Sequence, residues 1–143
     1  VKFLSMGATI IPSIRYQDCT KAIDWLCATF GFEHHLIVPN EDGGITHAEL
    51  VCGEAMIMLG GHTDADDDFG KLNKSPLQLD GQNTAGIYMV VEDVDAHYKK
   101  TKAAGVEIVL DIADQDYGGG SRSYSCKDLE GHLWSFGSYD PWE

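Results

Sequence analysis

Basic residues are scarce in this chain: 10 Lys and Arg stand against 23 Asp and Glu, a formal net charge of −13. A surface of that sign repels nucleic acid and anionic membranes, both of which are held by clustered Lys and Arg. The one concentrated basic stretch, Lys99, Lys100 and Lys102, falls on a predicted helix and reads as a solvated face. Neither nucleic acid nor a membrane is an expected partner. Also missing is an apolar run near the roughly 18–20 residues that cross a bilayer. The opening residues 1–14 carry no small-residue cleavage pattern behind their apolar stretch, so no signal peptide is expected and cytoplasmic residence follows by default. The four cysteines, Cys19, Cys27, Cys52 and Cys126, form no C-x-x-C pair and no finger-like spacing with histidine. Reduced, mostly buried thiols are the simplest reading.

Two metal signals fail on inspection. The run Asp64-Ala65-Asp66-Asp67-Asp68-Phe69-Gly70 starts like a calcium loop, but its sixth position is Phe69, where glycine must make the turn, and its twelfth is Ser75, where a bidentate Glu is required. His34 and His35 are neighbours on a predicted strand and point to opposite faces, so they cannot share an ion.

What the chain does contain is an internal repeat, in a length of 143 residues that suits one domain over residues 1–143. Arg15-Tyr16-Gln17-Asp18 matches Val90-Val91-Glu92-Asp93, each ending a β-branched apolar run (residues 8–14 and 87–91) that reads as a strand. Each Asp then opens a helix, where its carboxylate can accept from a free N–H of the first turn. Ala22, Ile23, Leu26, Cys27 and Phe30 fall on one apolar face of the first helix; Val94, Tyr98 and Thr101 do so more weakly on the second. Gly31 and Gly105 end the helices, and strands over 32–38 and 106–112 follow. Asp18 and Asp93 lie 75 residues apart and the two glycines 74, so a one-residue gap brings the copies into register. A glycine-bearing hairpin completes each copy, around Gly53 and around Gly131. The order is strand, helix, strand, strand, strand, twice: module one over about 8–60, a polar linker over about 61–84, and module two over about 85–139. Neither βαβββ unit alone buries both faces of its sheet, which is the physical reason to pair two of them.

The segment Asp128-Leu129-Glu130-Gly131-His132-Leu133-Trp134-Ser135-Phe136 resembles the "D-P-x-G-H-x-W-x-F" tail of the vicinal oxygen chelate proteins, the glyoxalase/bleomycin-resistance/extradiol dioxygenase superfamily, with Leu129 where proline is usual. Val91-Glu92-Asp93-Val94-Asp95-Ala96 and Phe30-Gly31-Phe32-Glu33 resemble that family's strand-to-helix junction and helix end. The resemblance implies an α+β fold in which two βαβββ modules form a curved, eight-stranded mixed sheet with the site on its concave face. Members that do metal chemistry place two ligands per module. The resemblance carries those positions onto Ile11, Ile57 or Met58, Gly86 and Ser135. Such residues cannot hold a divalent cation, so no metal and no cofactor is expected.

Several side chains are candidates for a site without metal. Arg15 shares a strand face with Ile11, which the resemblance makes concave, and offers a guanidinium to a carboxylate or other anion; the rival reading is a surface salt bridge. Tyr88 shares the Gly86 face, and Ser135 sits at the fourth family position. Arg122, Tyr124 and Cys126 share a face of the neighbouring strand, and Arg15, Tyr88 and Tyr124 are expected to line one pocket. His47 and Glu49, two apart on a strand, form a pair that either steadies the sheet or acts as a general base. Trp134 and Phe136 alternate with Ser135 and read as core, Trp25 as core or interface, and Trp142 as an exposed dimer contact or lid.

The leading expectation is a metal-free small-molecule binding protein of the bleomycin-resistance type. It would be a homodimer that sequesters an amphipathic or aromatic ligand, with the acidic charge steering cationic compounds. The alternative is a metal-independent isomerase, lyase or hydrolase using His47 with Glu49 or Arg15. A metal-dependent glyoxalase or dioxygenase comes third, opposed by the four residues above.

Overall fold

The computed structural model describes residues 9–61, 70–117 and 119–143. Most of the calcium-like stretch, residues 64–69, lies outside the described residues. The first module runs β1 (Ser13–Tyr16), α1 (Cys19–Phe30), β2 (Glu33–Pro39), β3 (Ile45–Cys52) and β4 (Ala55–Gly61). The second repeats it as β5 (Ile87–Val90), α2 (Val94–Ala103), β6 (Glu107–Asp114), β7 (Arg122–Lys127) and β8 (Leu133–Gly137). Two single-turn 3-10 helices, Gly70–Leu72 and Pro76–Gln78, interrupt the connection.

The repeat holds at both helix starts. Asp18 accepts from the backbone N–H of Lys21 at 3.0 Å and Asp93 from that of Ala96 at 3.0 Å, so both helices start on the same carboxylate cap. Gly31 ends α1 at φ 78°, a left-handed turn that any Cβ would strain. Hydrogen bonding resolves the architecture as two four-stranded mixed sheets, β1-β4-β3-β2 and β5-β8-β7-β6. In each, the first strand pairs in parallel with the last, and the remaining pairs are antiparallel. β1 and β5 are therefore both edge strands.

One core joins the modules. Ile14, Tyr16, Ala48, Leu50, Ile57 and Leu59 turn one face of the first sheet toward α1, and Tyr124, Cys126, Trp134 and Phe136 belong to the same buried cluster. Phe30, at the end of α1, crosses to the second module, with ring centroids 5.1 Å from Trp134 and 4.9 Å from Phe136. Trp134 and Phe136 are thus core, as their alternation with Ser135 indicates, and Trp25 packs edge-on to Phe30 at 5.0 Å. Polar groups fasten the same junction. Asp128 accepts from the Tyr16 hydroxyl at 2.6 Å and from the Trp134 indole at 3.0 Å, while Glu130 accepts from the backbone of Gln17 at 2.7 Å and of Asp18 at 2.9 Å. Buried carboxylates are costly unless so satisfied, and here each oxygen has a donor. On the opposite sheet faces Leu36, Val38, Val90 and Leu110 keep 38–65% of their surface exposed.

Candidate functional site

The edges of β1 and β5 share a cleft of about 410 Å³, walled by Ser13, Arg15, Gly86 and Tyr88, closed at one end by His132 and Leu133 and roofed by residues 73–84. A recess of about 130 Å³ adjoins it, reaching His47 and Gly60 and sharing Ser13, Ile14, Arg15 and Asn73 with the cleft.

Each strand holds its side chain by means of a glycine on the neighbouring strand. Arg15 pairs with Gly60 across the parallel ladder and lies flat over it; a Cβ at Gly60 would stand 3.7 Å from Nη1. The guanidinium donates to the carbonyl of Gly61 and is 93% buried with the rest of its residue. The carbonyl of Arg15 accepts from Nε2 of His132 at 2.7 Å, which fixes the proton of that imidazole on Nε2. Tyr88 crosses Gly137 in the same way, and its hydroxyl donates to the carbonyl of Tyr139 at 2.7 Å. Burial first, then the neighbouring Tyr117, raises the Tyr88 phenol above its ordinary pKa, so it stays protonated.

Arg15 and Tyr88 thus meet in one cleft. Tyr124 does not join them, a correction to the expected pocket. It pairs with Phe136 across the β7–β8 ladder and so faces α2, where its hydroxyl donates to Thr101 at 2.9 Å and lies 2.5 Å from Nδ1 of His97. Burial raises its pKa. Arg122 shares that face, away from the cleft, and makes ion pairs with Asp114 at 2.8 Å and Asp95 at 3.1 Å. Its carboxylate partners lie on α2 and β6, and it does not line the cleft that Arg15 and Tyr88 share. Ser135 lies on the same sheet face as Tyr88, its partner in the ladder, but outside the cleft wall; its hydroxyl bonds that of Ser125 at 2.6 Å.

His47 and Glu49 are paired, Nε2 to Oε2 at 3.0 Å, on the face of β3 away from the helices. Sequence reading missed the third member. His35 reaches the other carboxylate oxygen at 2.9 Å, because the ladder slips between His34 and Leu36 and the bulge turns His35 onto the Glu49 face. Hydrogen bonds from His47 and then His35 hold the Glu49 carboxyl below its ordinary pKa. A bulge leaves no mark in an alternating pattern, so simple strand parity could not find it.

Strand alternation also decides between the two residues at the second family metal position. Ile57 is 3% exposed and faces α1; Met58, paired with Ser13 and Glu49, faces the other way. The donor set is then Ile11, Met58, Gly86 and Ser135: one thioether, one hydroxyl and two residues with nothing to give. Among the described residues no group of three or more His, Cys, Asp or Glu side chains could hold a metal ion. The residues present do not fit the divalent ion of the metal-dependent relatives.

Known proteins resemble this chain over nearly its whole length. The crystal structure of TioX from Micromonospora sp. ML1 is 30% identical, covers 91% of this chain and 94% of its own, and superposes with a TM-score of 0.69. An uncharacterized protein of Mycobacterium bovis is 29% identical over 134 residues, 94% of this chain and 85% of its own length. The fosfomycin resistance protein FosX of Listeria monocytogenes, crystallised with Mn(II) and sulfate, shares the fold at 14% identity and a TM-score of 0.65, covering 95% of this chain and 93% of its own. The pattern of the Glyoxalase/Bleomycin resistance protein/Dioxygenase superfamily runs through residues 8–136, and the chain belongs to that superfamily.

Proposed function

We propose that the protein is a metal-free small-molecule binding protein that sequesters an amphipathic or aromatic ligand in the cleft between β1 and β5, and that it works as a homodimer. The carrying observation is the composition of the cleft: proline and leucine walls (Pro12, Pro76, Leu79, Leu133), one aromatic ring, a guanidinium, and no carboxylate among its described residues. Its volume of about 410 Å³ lies in the usual range for ligand pockets. The one imidazole there, His132, donates through Nε2 to the carbonyl of Arg15. For all the acidity of the chain, the charged side chains of the described wall are Arg15 and Lys74, which favours neutral or anionic ligands over cationic ones. Dimerisation rests on the exposed apolar faces that carry Leu36, Val38, Val90 and Leu110, which a second copy would cover with twofold symmetry.

Thermal-shift titration with a panel of aromatic amphiphiles tests the binding reading. A ligand at a hundredfold its Kd adds about 2.7 kcal/mol to stability. Arg15→Ala should abolish the shift. A panel with no saturable binder, or binding untouched by Arg15→Ala, would count against it. Light scattering that returns a monomer mass at micromolar concentration would remove the dimer.

One observation favours a second reading, catalysis without a metal by a lyase, isomerase or hydrolase. His47 opens onto the smaller recess, next to Arg15, with its ring braced by Glu49. A His47→Gln variant that binds ligand normally but loses turnover would select that reading.

A further inference from the structure

We infer that the cleft takes a short, extended, peptide-like molecule, a chain of alternating amide donors and acceptors, which lies between β1 and β5 as an added strand. This rests on the cleft being the ligand site and names the chemistry that the site recognises.

In a parallel pair, alternate residues turn their backbone N–H and C=O toward the partner strand and those between turn theirs away. The N–H of Met58 donates to the carbonyl of Pro12 at 2.9 Å, so Pro12, Ile14 and Tyr16 face β4, and Ser13 and Arg15 turn their backbone groups outward. The N–H of Val91 donates to the carbonyl of Gly137 at 2.9 Å, so Ile87 and Met89 face β8, and Gly86 and Tyr88 turn theirs outward. All four outward-turned residues line the cleft. Ile14 and Ile87 line it too, between the outward-turned residues. Two strand edges with outward-turned backbone groups therefore flank one cavity.

An open edge is a template for another extended chain, and domains usually blunt it with charge, proline or a covering element. Here the β5 edge begins at Gly86, which has no side chain to cover it. The β1 edge already takes a donor from outside its own sheet, the His132 imidazole on the Arg15 carbonyl. That bond caps one end of the edge and leaves Ser13 facing the cavity. The roof adds neutral amide and hydroxyl side chains, Asn73, Gln82 and Thr84, which suit neutral amides. From Gly86 to Tyr88 the edge spans about 7 Å at roughly 3.3 Å per residue, room for about two or three peptide units.

The test is an NMR titration of the 15N-labelled full chain with acetyl-trialanine amide, with its fully N-methylated counterpart, and with 2-naphthol. The peptide is expected to give saturable shifts at the backbone amides of Ser13, Gly86 and Tyr88. N-methylation, which removes the donors, is expected to weaken binding at least tenfold. Ser13→Pro deletes one outward N–H at the first residue of β1, a position where proline is tolerated because it gives nothing to β4. It should weaken the peptide about tenfold, the loss of one hydrogen bond, at an unchanged melting temperature. If 2-naphthol saturates the cleft while the peptide moves none of these amides, or if the N-methylated compound binds equally well, the strand inference is overturned and the ligand site stands. If neither compound binds, both readings fall. Should Ser13→Pro not fold, the comparison of the two peptides decides alone.

Discussion

Tyr88 lies so close over Gly137 that a Cβ at position 137 would stand 2.6 Å from its hydroxyl oxygen and 3.0 Å from the ring. Gly137→Ala must therefore displace the ring and break its hydrogen bond to the Tyr139 carbonyl. We expect a loss of about 1–3 kcal/mol from overpacking and weaker ligand binding at the Tyr88 wall. Tyr88→Ala in the same background should recover only the part due to the ring, since the Ser123 Cβ would still stand 3.0 Å from the new methyl, measured by urea denaturation; a Gly137→Ala variant as stable as the parent would show that the ring moves without cost.

The junction of the two modules carries a second expectation. Tyr16→Phe removes the hydroxyl that donates to Asp128 and leaves that buried carboxylate oxygen with the Trp134 indole alone. A lost hydrogen bond to a buried charged acceptor costs about 1.5–3 kcal/mol. The loss should appear in the urea midpoint with ligand affinity unchanged, since Tyr16 is fully buried in the core and not in the cleft.

Acid should weaken the protein through His97. Its imidazole is packed 4.2 Å from the Phe136 ring and 6.5 Å from that of Phe30, with Tyr124 beside it. Burial, and then Lys100, lower its pKa below the ordinary 6.5. Between 6.5 and that lowered value the unfolded chain binds a proton that the folded chain refuses. This contribution to stability is therefore whole above about pH 6.5 and is lost as pH falls through the folded pKa. Melting temperatures of the parent and of His97→Phe at pH 8, 6.5 and 5 check it: the fall from 6.5 to 5 should be smaller in the variant. Equal slopes would assign the pH dependence to other groups.

The donor set at the family's metal positions leads to a chemical expectation. Chain incubated with nickel, zinc or manganese and then desalted should retain far less than about one ion per molecule and show no glyoxalase I activity. Elemental analysis that finds stoichiometric metal, removed by substituting Met58 or Ser135, would reverse this.

Much of the fold was legible because its signals are local. The Asp18 and Asp93 caps, the helix-ending Gly31 and the core phase of Trp134 and Phe136 each depend on a few neighbouring residues, and the repeat doubled their weight. The site was less legible because it depends on pairing. Arg122, Tyr124 and Cys126 do share one face, but which face follows from the hairpin register, set by the turn between Lys127 and Leu133. Counting from that pair places Tyr124 opposite Phe136, a core residue, and the signal was there to be used. The bulge that brings His35 to Glu49 had no such signal. The roofing of the cleft by residues 73–84 is a tertiary event that no periodicity reports.

The bonds from Tyr16 to Asp128 and from Gln17 to Glu130 join residues 112 and 113 positions apart. On a ribosome, the first module is complete in sequence by residue 61, yet the groups that fasten its β1–α1 corner have not been made. Phe30 then has no Trp134 or Phe136 to pack on. The helix end stays without these partners until the last hairpin has been synthesised. Contacts of such separation slow folding and lengthen that interval. The last hairpin brings the carboxylates and rings that close the β1–α1 corner.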